Sequence, residues 1–297
     1  MDHTTQKARW ELIASVVLFG TIGLFVAGIP LPRAAVAAVR GLVGALLLFL
    51  FLRLRGQKLQ IKLLRPKLGW LIVSGVVMGF NWILLFESFR FAGVAVGTLC
   101  YYFAPSIMVV ASAVLYREKL TLLTVACVLV ALGGMALASG VLQTDFSGGR
   151  GLIGVALGLG AAVLYATVIL INKSLHDVPS RDGTVVQLFC AGAATAVYLI
   201  LTEDVSAFDF GGAKGIALLA AVALLHTGLA YALYFDSIPR LTGATVAMLS
   251  YLDPVIAVLL GALVLHETMH PLQWVGAVLI IGSSLVCELG RTKEKTT

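Results

Sequence analysis

The chain has 297 residues, 60% of them hydrophobic and only 12% charged, and its mean hydropathy is +1.00. A water-soluble domain carries about 25% charged residues, so a soluble globular enzyme of this length is excluded for want of a charged surface. At 31.3 kDa the chain has room for roughly ten membrane spans of about 20 residues and little else.

In chain order, uncharged stretches cover 12–32, 68–86, 91–116, 120–144, 151–172, 183–202 and 215–235, and 268–287 is broken only by His270. Two more reach spanning length if one internal charge is accepted: 34–52 with Arg40, and 241–266 with Asp253. These stretches predict ten helices, each long enough to cross a hydrocarbon core about 30 Å thick. Strict apolar/polar alternation over ten-residue segments, the pattern of an outer-membrane barrel, is absent. The first apolar run exceeds a signal-peptide core and no Ala-x-Ala-type site follows it, so it reads as an uncleaved first helix. Cys100, Cys127, Cys190 and Cys287 all fall inside predicted spans, at spacings that suit neither a metal site nor a disulfide framework.

With the N-terminus placed in the cytoplasm, sixteen of the 21 basic residues fall on the inside, six of them in the 53–67 loop, against four outside. This positive-inside bias predicts that both termini face the cytoplasm of a multi-pass inner-membrane protein. Topology and anionic headgroups then account for the net charge of +6, with no need of nucleic acid.

A shift of 149 residues superimposes two segments without a gap. Phe86-Glu87-Ser88 falls on Phe235-Asp236-Ser237, Tyr102 and Pro105 fall on Tyr251 and Pro254, Glu118 on Glu267, and Gly133 on Gly282. Two halves of five helices each, 1–143 and 144–297, would enter the membrane from opposite sides, the inverted repeat that many transporters use for alternating access.

The segments TLCYYFAPSIMVVASAVLYREKLT and TVAMLSYLDPVIAVLLGALVLHETMHPLQWVGAVLIIGSSLV resemble the EamA-type repeats of the drug/metabolite transporter superfamily. The shared features are an aromatic-x-x-Pro segment in helices four and nine, an acidic residue at the following helix end, and a Gly-rich last helix. The resemblance spans the whole sequence, and the chain is most similar in size and aromatic content to YddG-type amino-acid exporters. It implies an all-α protein of ten transmembrane helices that exports small organic solutes.

Within the spans a few positions stand out. Arg40 at mid-helix costs about 2.5–3.5 kcal/mol to insert; it either binds a substrate carboxylate or a partner acid, or snorkels toward the nearer interface. Asp253 is an intramembrane acid in one half only, its repeat mate being Ala104. It reads as a proton carrier or ammonium ligand, or as a side chain serving the backbone loosened by Pro254. Pro105 and Pro254, with Gly93, Gly97 and Gly243, make helices four and nine the expected moving parts. Asn81, Trp82, Tyr101, Tyr102, Tyr231, Tyr234, Ser250 and Tyr251 form a polar-aromatic set suited to a small amphiphile, with cation–π contact for an α-ammonium. An interfacial aromatic belt is the alternative, and it explains Trp10, Trp70 and Trp274 better than Trp82 and Tyr102. His226 can supply the solute a hydrogen bond with Asn81 and Ser250, link transport to protons, or simply bond between helices. Glu87 and Asp236 are expected near opposite membrane faces as gate or end-cap residues. The pairs Gly75/Gly79, Gly93/Gly97 and Gly154/Gly158 predict close helix approach, and helices five and ten, poor in polar residues, are expected at the lipid-facing periphery.

No phosphate-cradling Gly-Lys-Ser/Thr loop, metal-spaced cluster or nucleophile elbow is present, so the sequence implies no enzyme activity, cofactor or metal. The expected partners are a small-molecule solute, amino acids first, and the lipid bilayer; a monomer is compatible with the sequence. The alternative cargo is another metabolite or a cationic drug, with or without proton coupling, and the remaining alternative is a membrane enzyme or sensor.

Overall fold

A computed structural model describes residues 3–117, 120–138, 150–204, 208–264 and 270–294. The expected helix-end acids Glu118 and Glu267, and the 143/144 boundary between halves, lie outside the described residues. The described chain is helical, with no strand: α1 (His3–Ala27), α2 (Arg33–Leu54), α3 (Ile61–Leu64), α4 (Leu68–Tyr101), α5 (Ala104–Leu115), α6 (Leu122–Ala138), α7 (Arg150–Ser174), α8 (Ser180–Thr202), α9 (Gly212–Ala221), a π-helical turn Val222–Leu229, α10 (Ala230–Ser237), α11 (Gly243–Ser250), α12 (Leu252–Leu263) and α13 (Pro271–Glu294). Seven stretches are long and apolar enough to cross a membrane, and shorter apolar helices accompany them.

One boundary departs from expectation. The predicted third and fourth spans, 68–86 and 91–116, share the continuous helical assignment of α4 through Tyr101. Yet a Cβ on Gly97 would lie 2.6 Å from Phe89 Cδ1 and 2.8 Å from Ser88 Oγ. Residues eight or nine apart on a straight helix are separated by about 12–14 Å along its axis, so α4 folds back on itself between these positions. The lack of a side chain at Gly97 is what lets the two arms meet.

The true breaks come one turn before the prolines. Helix stops at Tyr102–Phe103 ahead of Pro105, and at Tyr251 ahead of Pro254. A proline removes its own N–H and clashes with the carbonyl four residues earlier, which is Tyr101 in one half and Ser250 in the other. The second half adds a break that the first lacks, a 3-10 turn Ile238–Arg240 built on Pro239, after which Thr242 caps α11 by accepting the Thr245 N–H at 3.3 Å.

Helices related by the 149-residue shift pack on each other in antiparallel fashion. For α2 and α8, Ala35, Val36 and Ala38 cluster with Leu199, a Cβ on Gly41 would lie 2.6 Å from Gly192 Cα, and Gln60 N–H donates to Asp182 Oδ2 at 2.8 Å. For α6 and α13, Gln273 Nε2 donates to the Ala138 carbonyl at 3.3 Å, and the Cys127 and Cys287 thiols meet at the far end. The remaining large interfaces are exchanged: α4 packs on α7, and its repeat mate α10 packs on α1. Close approach at glycine carries these contacts. Gly75 and Gly79 of α4 face Gln187 and Ala191 of α8, while Gly154 and Gly158 of α7 face Ala92 and Cys100. The outer faces of α6 and α13 expose Leu129, Val130, Val278 and Leu285, in keeping with their expected peripheral place.

Candidate functional site

The centre of the molecule is aromatic, and Arg40 enters it. Its guanidinium carbon lies 4.3 Å from the centroid of the Trp82 ring, a cation–π contact that holds the charge among side chains rather than at an interface. Its Nε is buried and meets no hydrogen-bond partner. Trp82 Nε1–H donates to Tyr231 Oη at 3.3 Å. Trp82 and Tyr231 are separated by 149 residues, so two repeat-equivalent positions touch near the axis that relates the halves.

From Tyr231 the aromatic wall runs on. Phe19 of α1 packs on Tyr231 and Tyr234, with centroids 5.0 and 5.7 Å away. Tyr165 Oη–H donates to Tyr234 Oη at 2.8 Å, and Tyr165 stacks on Tyr101 at 5.2 Å with an interplanar angle of 25°. Tyr234 Oη and Ser250 Oγ are 3.5 Å apart. Tyr101 meets Tyr102 edge-on, and the Tyr102 hydroxyl donates to Asp253 Oδ2 at 2.7 Å. Its repeat mate Tyr251 pairs with Ser106 Oγ at 2.7 Å, so each proline-adjacent tyrosine reaches across to the other half. Aromatic side chains thus connect the Arg40 guanidinium, which also hydrogen-bonds Tyr231, at one end to a carboxylate at the other.

Asn81 stands beside Trp82 on α4. Its amide donates to the Ala161 carbonyl at 2.6 Å, and its Oδ1 is buried without a partner. His226 lies to one side, on the π-helical turn, where the Thr227 hydroxyl donates to the carbonyl five residues back, Val222, at 3.0 Å. His226 Nε2 is 2.9 Å from Thr21 Oγ1, and its ring centroid is 4.5 Å from that of Phe25.

The two acids at the ends of the aromatic helices occupy separate ion networks. Asp236 Oδ2 is 2.5 Å from Arg240, which also pairs with Glu11 of α1. Glu87 Oε2 is 2.6 Å from Arg90, and its Oε1 accepts the Tyr198 hydroxyl of α8 at 2.7 Å. Pro105 is buried at the start of α5, and Pro254 lies in the first turn of α12. The set expected from sequence is therefore brought together for Arg40, Asn81, Trp82, Tyr101, Tyr102, Tyr231, Tyr234, Ser250, Tyr251 and Asp253. His226 is adjacent, and Glu87 and Asp236 are apart.

Sequence reasoning missed Tyr165, Phe19 and Thr21, which α7 and α1 bring to this centre. Tyr165 is the one aromatic residue between Leu152 and Ile171, which was a usable signal. It also missed Glu11 and Arg240, 229 residues apart.

Comparison with known proteins fits this geometry. The profile of the EamA-like transporter family matches residues 9–140 and again residues 152–287. The chain belongs to the EamA-like transporter family. Among its relatives is an uncharacterized transporter, YxxF, of Bacillus subtilis, 28% identical over 91% of this chain and 86% of that protein. The threonine/homoserine exporter RhtA of Escherichia coli is 29% identical over 48% of each chain. A solved crystal structure superposes with a TM-score of 0.83 over 95% of this chain and 97% of the other at 21% identity, which establishes a shared fold. This is therefore a multi-pass membrane transporter, with a small-molecule substrate and a lipid environment.

Proposed function

We propose that the chain exports amino acids, with neutral and aromatic ones favoured, across the inner membrane by alternating access. In this reading ten helices form two inverted five-helix halves, 1–143 and 144–297, with both termini cytoplasmic, and the solute sits between the halves. The observation that carries it is the pairing of Arg40 and Asp253, the two charges inside the predicted spans, at opposite ends of one aromatic wall. An α-amino acid is a zwitterion. Its carboxylate suits a guanidinium with a free donor, and its ammonium suits a carboxylate that accepts one phenol. Tyr101, Tyr165 and Tyr234 offer ring faces to the side chain. The likeness to RhtA supports amino acids as cargo and export as the direction.

Counterflow of labelled amino acids into liposomes holding the purified protein tests this. Threonine and phenylalanine exchange is expected, with a fall of about tenfold or more in Arg40→Gln and in Asp253→Asn, since a buried charge left unpaired costs over 1.4 kcal/mol. No exchange with any amino acid overturns the assignment. The alternative cargo, a cation, predicts that Asp253→Asn abolishes transport while Arg40→Gln spares it.

A further inference from the structure

Away from the aromatic centre, a cleft of about 650 Å³ opens between α2, the π-helical turn, α10 and the start of α8. One wall is apolar: Leu48 and Phe51 of α2 face Leu224, Leu225 and Leu229 of the π-helical turn. Four of these five are exposed, Leu224 by 43% and Leu229 by 44%, on elements that cross the membrane. The end of the cleft is ionic. Arg55 and Arg181 line it, and it merges there with a second recess that adds Lys58 and Ser180.

We propose that this cleft is a binding site for one anionic phospholipid, its acyl chain along the leucine wall and its phosphate between Arg55 and Arg181. The polarity gradient is that of a phospholipid, apolar at chain depth and cationic at headgroup depth. The charges also match. Among the described residues, the carboxylates at this end are already engaged: Glu11 and Asp236 by Arg240, and Asp182 by the Gln60 N–H. Neither Arg55 nor Arg181 pairs with a carboxylate among the described residues, and Arg55 rests 5.3 Å above the Phe51 ring, which holds its fork at the mouth. With Lys7, Lys58 and Arg240 counted beside Arg55 and Arg181, and the three acids against them, two positive charges are left over, and a phosphodiester neutralises one. Guanidinium forks match phosphate oxygens bidentately. A zwitterionic lipid brings no net charge and leaves that excess standing.

The test uses the purified full-length protein in mixed micelles with equal amounts of phosphatidylglycerol and phosphatidylcholine of identical chains. Native mass spectrometry of the gel-filtered protein reads the retained lipid. Wild type is expected to retain phosphatidylglycerol over phosphatidylcholine by about tenfold, the double variant Arg55→Ala/Arg181→Ala to lose that preference, and excess inorganic phosphate to leave it in place. Equal retention of the two lipids by wild type, or an unchanged preference in the double variant, overturns the proposal. Displacement by inorganic phosphate alone also overturns it, since the site then reads a free anion. A second measurement does not depend on the double variant folding. In Leu225→Trp, brominated-chain phosphatidylglycerol is expected to quench the new indole more than brominated-chain phosphatidylcholine, and equal quenching overturns the proposal.

Discussion

The two ion networks occupy repeat-equivalent places and are built differently. Asp236 of one half falls on Glu87 of the other, and each carboxylate meets an arginine three or four residues further on. The Asp236 network recruits a second carboxylate, Glu11, from α1, and Arg240 Nε–H also donates to the Asp236 carbonyl at 2.9 Å. It is a charged clasp between α1 and the end of α10. The Glu87 network recruits only a phenol, Tyr198 of α8, and its Arg90 side chain is 68% exposed against 31% for Arg240. Exposed pairs are screened by water and contribute about 0–1 kcal/mol, whereas removing the half-buried Arg240 leaves Asp236 unpaired and Glu11 with only the exposed Lys7. The same sequence position therefore serves as a firm tie in one half and a weak one in the other.

This comparison can be broken by removing its members. Under the proposed alternating access, Arg240→Ala carries the largest expected effect, a shift of about 1–2 kcal/mol, or five- to thirty-fold, between conformations closed and open at this face. A cysteine introduced at Ala8, one turn from Glu11 and fully buried, should then label faster with a membrane-impermeant maleimide than in the Arg240-containing parent; unchanged labelling refutes the clasp. Glu11→Gln comes next, since it reduces the clasp to a local pair like that of Glu87 and Arg90, with labelling expected to rise about threefold to tenfold. Arg90→Ala should alter exchange rates by about twofold or less, and a larger loss than in Arg240→Ala would reverse the ranking of the two networks. Tyr198→Phe is the smallest, about 1 kcal/mol or less for one hydrogen bond to a carboxylate that keeps its Arg90 partner. It should be detectable only as a small fall in thermal midpoint.

The spans were legible because a bilayer imposes one simple demand: about 20 apolar residues in a row. The 149-residue shift exposed the relation between halves, and low charge made Arg40 and Asp253 conspicuous. The partners were not legible. Nothing near Gly41 announces that Gly192 presses against it, and nothing near Tyr165 announces Tyr101 and Tyr234. Pro105 and Pro254 pointed to kinks, but the helix opens about one turn earlier, at Tyr102–Phe103 and at Tyr251. The break between the third and fourth spans was expected at 87–90, and the fold-back instead falls between Phe89 and Gly97, inside the continuous helix α4.

The low charge that first excluded a soluble protein determined the class, the membrane-spanning segments and the few places where buried charge demands a reason. Those are properties of a residue against its solvent, and each can be read one position at a time. Whether Arg40 snorkels or stacks on Trp82, whether Asp253 serves the backbone or accepts the Tyr102 hydroxyl, and which arginine ties α1 to α10 were decided only by tertiary structure. The second and third of these contacts join residues from opposite halves, and all three join helices that never adjoin in sequence.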